Sequence, residues 1–211
     1  MNGMDDVVQI LKDRGAILEG HFIGTSGRHM SVYISKDLWF PHTDTVSKVC
    51  SMLAELNKDK NIDVVVGPAL GGVVLSTWTA YHLSKITGKD VLSLFTEKTL
   101  DNGQVFKRGH DKMVKGKRVL LVEDTVATGS SIRKVVDTIR EAGGELVQIS
   151  LVVNRVSKNV NPETFGVPLN ALGEVPAETY GEDEVPDWLK KVPINTQFGH
   201  GEKYLKEHPH T

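Results

Sequence analysis

Glu123 and Asp124 stand side by side at the end of the apolar run Val119-Leu120-Leu121-Val122 and are followed by Thr125-Val126-Ala127-Thr128-Gly129-Ser130-Ser131. The run predicts a buried parallel strand whose carboxyl end delivers both acids to the crevice where open α/β sheets bind ligands. From Ser130 to Ala142 the apolar residues Ile132, Val135, Val136 and Ile139 recur at helical spacing, so the small hydroxylated loop feeds a helix N-terminus. Such a terminus offers unpaired backbone N–H groups and the positive end of a dipole, which suits a phosphate. Carboxylates beside a phosphate cradle make sense if the ligand is a phosphorylated sugar. The anion then sits on N–H and hydroxyl donors of residues 125–131, and the acids accept hydrogen bonds from ribose hydroxyls with a divalent cation to help. An ordinary βα turn with acids capping a helix leaves the combination of strand, acid pair and hydroxyl-rich turn unexplained. No Lys follows Gly129, so the segment is not a Walker A loop.

These residues need a sheet to hold them, and the chain supplies one in alternating pieces. An amphipathic helix over Met4 to Arg14 ends at Gly15, a Gly-rich turn runs from Gly20 to His29, and Ser31 to Lys36 reads as a strand. A helix is predicted from Thr43 to Asn57. Val64-Val65-Val66 is the next strand, closed by Gly67-Pro68-Ala69-Leu70-Gly71-Gly72 and followed by a helix from Val73 to about Ile86. Val91 to Phe95 is another apolar strand, after which Thr96 to Lys117 is polar, charged and punctuated by glycine. A connection of that length points to a lid or binding loop. Beyond the signature helix come a Gly143-Gly144 stop, a strand over Val147 to Val153, and a proline-bearing tail with the short apolar stretch Pro168 to Leu172 and Trp188-Leu189. Strands alternating with helices imply an α/β protein with a mostly parallel sheet flanked by helices.

The strand, Glu-Asp pair and Thr-x-x-Thr-Gly-x-Ser turn resemble the phosphoribosyl pyrophosphate (PRPP) signature of the type I phosphoribosyltransferases. Gly20-His21-Phe22, Thr25-Ser26-Gly27-Arg28, Val66 to Gly72 and Phe95-Thr96-Glu97-Lys98 precede it in the order and spacing of the orotate phosphoribosyltransferases, so the resemblance covers most of the chain. It implies the type I phosphoribosyltransferase fold as a single domain over residues 1–211. A small hood would come from about 15–40 and the C-terminal segment, and a core from about 43–175. The implied reaction transfers phosphoribosyl from PRPP to orotate, giving orotidine 5′-monophosphate and pyrophosphate in pyrimidine nucleotide biosynthesis, with Mg²⁺ held through PRPP rather than by direct protein ligands. PRPP would be bound by Lys98, Glu123, Asp124, Thr125, Val126, Ala127, Thr128, Gly129, Ser130 and Ser131, with Lys98, Glu123 and Asp124 as the catalytic set. Ala69, Leu70, Gly71 and Gly72 would receive pyrophosphate, for which a Gly-rich turn allows close backbone approach. Lys107, Arg108 and His110 are the candidates on the mobile loop, and Ala127 and Arg155 those for the base. A guanidinium at Arg155 can pair bidentately with the orotate carboxylate, which a neutral purine lacks.

Two positions depart from that family. Ala127 stands where many members have Thr, and the loop reads Leu100-Asp101-Asn102-Gly103, without the usual Lys-x-His-Gly and with Glu97 where a basic residue is frequent. The same chemistry on a purine or other base, and a non-catalytic PRPP- or nucleotide-sensing regulator, therefore stand as alternatives.

The bulk properties bound the rest. At 211 residues the chain can bury a full core without staples, and 25 basic against 27 acidic residues leave a formal charge of −2, no footprint for nucleic acid. Cys50 is the only cysteine, so it is expected to be a buried structural thiol in a reducing compartment. His200, His208 and His210 read as a polar tail rather than a metal site, and Trp39, Phe40, Trp78 and Trp188 as packing or subunit contacts. With neither a signal peptide nor a membrane-length apolar run, the expectation is a cytoplasmic protein with no membrane partner, acting on PRPP and a nucleobase, and a homodimer as the family implies.

Overall fold

The computed structural model describes residues 6–126, 129–155 and 160–208. In chain order the elements begin with α1 (Val7–Asp13), β1 (Ile17–Ile23), β2 (His29–Ile34), α2 (Thr43–Asn57), β3 (Val64–Pro68), α3 (Gly71–Thr87), β4 (Leu92–Lys98) and β5 (Gln104–Val105). They continue with α4 (His110–Val114), β6 (Arg118–Val126), α5 (Ser130–Glu141), β7 (Glu145–Asn154), α6 (Pro162–Phe165), β8 (Leu169–Glu174), β9 (Thr179–Tyr180), α7 (Asp187–Lys190) and α8 (Gly201–Glu207). They group into two compact units, one of Met1–Ile10 with Phe40–Val175, the other of Leu11–Trp39 with Pro176–Thr211.

The first unit is built on a six-stranded sheet in the order β5-β4-β3-β6-β7-β8. Every neighbouring pair is parallel except β4–β5, a short antiparallel hairpin. Helices α2 and α3 pack together, with α3 against β3, β4 and β6, while α5 packs on β7 and β5. The sides follow from alternation. Val64, Val66, Leu94, Val119, Leu121, Ile149 and Leu151 form one buried cluster with Ile132, Val135, Val136 and Ile139 of α5, so Val65 and Leu120 turn to the side of α2 and α3. Each such fully buried aliphatic side chain stabilises the unit by roughly 1.5–3 kcal/mol. A buried polar chain crosses the second side: Asn57 Nδ2 donates to Ser150 Oγ (2.9 Å), which donates to Asn170 Oδ1 (2.6 Å). The β7–β8 pairing it fastens was legible only as the apolar stretch near Pro168 to Leu172.

The second unit carries a three-stranded sheet, β1-β2-β9, with α7 and α8 against β1. The expectation of a Gly-rich turn over Gly20 to His29 is corrected here. Ile17 to Ile23 is a strand, irregular in register between Glu19 and Phe22, and the turn is confined to Gly24–Arg28, where Gly27 takes φ +77°. The glycines hid a strand because one serves a bulge and the others the turn. Arg28 is fastened by Nη2 to the Thr179 carbonyl (2.8 Å).

Cys50 is fully buried on α2, and burial pushes its thiol up to about 12, which removes it as a nucleophile. Trp39 is buried and Trp78 half-buried against Tyr81 and His82, whereas Trp188 is 54% exposed. Among the described residues no helix is long and apolar enough to cross a membrane.

Candidate active site

Strands β3 and β6 are neighbours, but β3 continues through α3 to β4 on one side and β6 through α5 to β7 on the other. This is the switch point of the sheet, where the two connections leave in opposite directions and a crevice opens at the carboxyl ends. The β3–β6 register runs only from Val64↔Val119 to Val66↔Leu121, so from Val122 onward β6 has lost its partner on that side while keeping β7. Glu123 and Asp124 lie on this projecting part. They are half-buried and fall within the strand rather than just past it, since β6 extends to Val126. By alternation Glu123 follows Leu121 toward α5, and Asp124 turns toward α3. Each acid accepts from the next backbone N–H: Asp124 N donates to Glu123 Oε1 (3.1 Å) and Thr125 N to Asp124 Oδ1 (2.7 Å). These local bonds orient the carboxylates at the strand end.

Two helix N-termini flank the acids. Gly129, in the left-handed region at φ +79°, turns the chain into α5, whose first turn has no acidic residue and no side-chain cap. Ser130 and Ser131 are exposed there. Helix α3 starts at Gly71, again without an acid or a side-chain cap in its first turn. Its entry depends on two glycines in backbone contact. A Cβ on Gly67 would fall 2.5 Å from the Gly72 carbonyl oxygen, and one on Gly72 would fall 2.4 Å from the Gly67 carbonyl carbon. Any side chain at either position would push the loop off the strand. Ala69 N donates to the Thr96 carbonyl (2.8 Å), and Leu70 is 84% exposed beside buried Gly71 and Gly72.

The remaining candidates fall at the same edge. Lys98 is the exposed last residue of β4, and Arg155 is half-buried directly after β7, whose last pair is Val126↔Asn154. Thr125 and Val126 end β6, Val126 buried. Ala127 and Thr128 lie outside the described residues, as does His210. Lys107 and Arg108 are drawn to Glu97, Lys107 Nζ at 3.2 Å and Arg108 Nη1 in a closer contact, while the His110 ring meets Phe95 edge to face at 5.3 Å. Hydrogen bonds from Lys107 and then Arg108 hold the Glu97 carboxyl below its usual range.

The reading of Thr96 to Lys117 as one long irregular connection is corrected. Strand β4 runs on to Lys98, turns back through Thr99–Gly103 with Asn102 at φ +62°, and pairs as β5; α4 then covers His110 to Val114. Thr96 Oγ1 donates to Gln104 Oε1 (2.7 Å), Thr138 Oγ1 to the Gln104 carbonyl (3.1 Å) and Lys134 Nζ to the Asn102 carbonyl (2.6 Å). Sequence reading missed Lys134 and Thr138 as anchors, because polar residues on the outer face of a helix carry no signal of what they meet so far away in the chain.

Comparison with known proteins agrees with this geometry. A family model described as phosphoribosyl transferase domain matches residues 42–169. The orotate phosphoribosyltransferase of Bartonella tribocorum is 42% identical over 191 residues, covering 89% of this chain and 93% of that relative. The chain belongs to the orotate phosphoribosyltransferase family. A more distant member, from Caldicellulosiruptor bescii, is 36% identical across 90% of this chain and 94% of its own. The crystal structure of orotate phosphoribosyltransferase from Aeropyrum pernix superposes with a TM-score of 0.62 at 25% identity, over 80% of this chain and 93% of that one. The helix-flanked, mainly parallel sheet is thus the type I phosphoribosyltransferase fold.

Proposed function

We infer that the protein transfers the phosphoribosyl group of PRPP to orotate, forming orotidine 5′-monophosphate and pyrophosphate. The observation that carries this reading is the pairing of two uncapped helix N-termini, at Gly71 and Ser130, on either side of the Glu123-Asp124 pair at the switch point. A ligand with a phosphate at each end and hydroxyls between matches that order of donors and acceptors. The first turn of α5 with Thr125 to Ser131 would hold the 5′-phosphate, the acids the ribose hydroxyls, and Ala69 to Gly72 with Lys98 the pyrophosphate. Arg155, one strand beyond the acids, would take the orotate carboxylate. The family membership and the names of the relatives support the same substrates.

The residues would act by placement. A ring nitrogen of orotate displaces pyrophosphate at the anomeric carbon while positive charge develops on the ribose, and no covalent enzyme nucleophile is required. Glu123 and Asp124 sit where that charge grows, and cations at the end of β4 stabilise the departing anion. The donors at this edge are hard oxygens, the carboxylates of Glu123 and Asp124 and the hydroxyls of Thr125, Ser130 and Ser131, which suit magnesium. Bound through PRPP, Mg²⁺ would neutralise pyrophosphate charge. A cytoplasmic homodimer is the setting proposed for this activity. The test is pyrophosphate release from PRPP and Mg²⁺ with a panel of orotate, uracil, adenine, hypoxanthine, guanine and xanthine. Release with orotate alone is expected, and release only with a purine would overturn the base assignment.

A further inference from the structure

We infer that Glu97 is an internal stand-in for pyrophosphate: its carboxylate parks Lys107 and Arg108 beside the leaving-group loop and yields them when the pyrophosphate moiety arrives. This rests on the proposed phosphoribosyl transfer. The placement comes from the register. Ala69 N is bonded to the Thr96 carbonyl, and Pro68 pairs with Thr96, so Glu97 is one residue beyond the last β3–β4 pair, at the mouth of the Gly67 to Gly72 turn. The facing comes from alternation. Ser93 Oγ bonds Ser76 and Thr77 of α3, and Leu94 packs in the α5 cluster, which turns Ser93, Phe95 and Glu97 to the side on which α3 begins.

On that side the strand end gathers a cation pair. Lys107 Nζ and Arg108 Nη1 each donate to a different oxygen of the same carboxylate, and the Arg108 guanidinium lies 5.9 Å from the centroid of the Phe95 ring. Both cations are more than half exposed while Glu97 is mostly covered. They are thus already collected, desolvated on one flank and open on the other. An isolated surface ion pair contributes little to stability, but two cations on one acid leave a net positive charge aimed at solvent. A pyrophosphate carries more charge than a single carboxylate and competes for both. Glu97 is accordingly a positioning residue: it tunes how tightly the leaving group is held without touching the reacting atoms.

The test is calorimetric titration of magnesium pyrophosphate into wild-type protein, Glu97→Gln, and both again in a Lys107→Gln/Arg108→Gln background. Product inhibition by pyrophosphate is measured in parallel. Releasing the cations should tighten pyrophosphate binding by about three- to tenfold, as expected when the competent state is no longer held in reserve. A purely structural role for Glu97 would only weaken binding. The gain should vanish in the background lacking both cations. Unchanged or weaker binding by Glu97→Gln overturns the inference, as does a gain that survives loss of both cations. Should Glu97→Gln not fold, Glu97→Ala, which also removes the carboxylate, takes its place under the same criterion. Wild-type protein that neither binds pyrophosphate nor releases it from PRPP would instead refute the proposed reaction.

Discussion

Asp124 and Glu123 project from the part of β6 beyond its last β3 pair, the placement from which they are proposed to bind the ribose. Converting both to amides is expected to reduce PRPP turnover by more than a hundredfold, roughly the loss of two charge-assisted hydrogen bonds, while leaving the melting temperature within a few degrees. Steady-state kinetics beside a thermal melt checks it, and unchanged turnover would defeat the phosphoribosyl reading. If Arg155 holds the orotate carboxylate as proposed, Arg155→Leu should raise the Michaelis constant for orotate by roughly 2–4 kcal/mol in free-energy terms, because that carboxylate would lose its charged partner. The constant for PRPP should barely move. Nearly all of these residues were legible in the sequence, because an acid pair ending a hydrophobic strand and glycines at a helix entry are local patterns. Glu97 was legible only as an oddity. That it gathers Lys107 and Arg108 is decided by a chain reversal that places residues ten and eleven positions apart on one side of a strand.

Among the elements, the β4–β5 hairpin departs most from expectation. Past Phe95 its sequence is mostly polar and so reads as loop, yet Lys134 and Thr138 of α5 hold its carbonyls and Thr96 locks Gln104. The amides paired across Glu97↔Val105 and Lys98↔Gln104 should therefore show measurable hydrogen-exchange protection in the free protein, with Thr99 to Asn102 and Lys107 to Gly109 exchanging fast and slowing when a PRPP analogue, Mg²⁺ and orotate are added together. Uniformly fast exchange across 96–111 in the free state would mean that the hairpin does not persist. The helices α2, α3 and α5 and the central strands were readable within a few residues, since their apolar periodicity is strong and glycines mark the ends of α3 and α5. The edge strands β1, β5 and β8 were not. Their pairing depends on remote partners such as the Asn57–Ser150–Asn170 chain, and Ser150→Ala should lower stability by about 1–3 kcal/mol, because one Asn57 Nδ2 hydrogen and Asn170 Oδ1 lose this partner while Asn57 Nδ2 keeps its bond to the Leu53 carbonyl.

For the whole molecule, acid is the expected weakness. Burial, followed by the neighbouring His21, pushes the His29 imidazole down, and burial does the same at His82; the backbone N–H of Arg118 holds the Asp63 carboxyl below its usual range. All three shifts have the same sign: the folded state disfavours the proton, so the stability they contribute is present above the unfolded pKa and is lost as pH falls through the depressed folded values. The melting temperature should hold from neutrality down to the ordinary imidazole range and then decline, steepening below the carboxylate range. A melting temperature that rises on acidification through these ranges would contradict the assignment. The division into two units has a consequence of another kind. Strand β2 pairs with β9, and β1 is covered by α7 and α8, yet β9, α7 and α8 are translated only after the other unit is complete. During synthesis β1 and β2 emerge early as a two-stranded ribbon, marginal on its own, with an open edge and an unshielded apolar face. The N-terminal strands must therefore wait through most of translation for their partners. A ribosome that stalls after Val175 would present a nascent chain able to fold its catalytic sheet yet still carrying that open edge, the kind of species that chaperones bind and that aggregates when they do not.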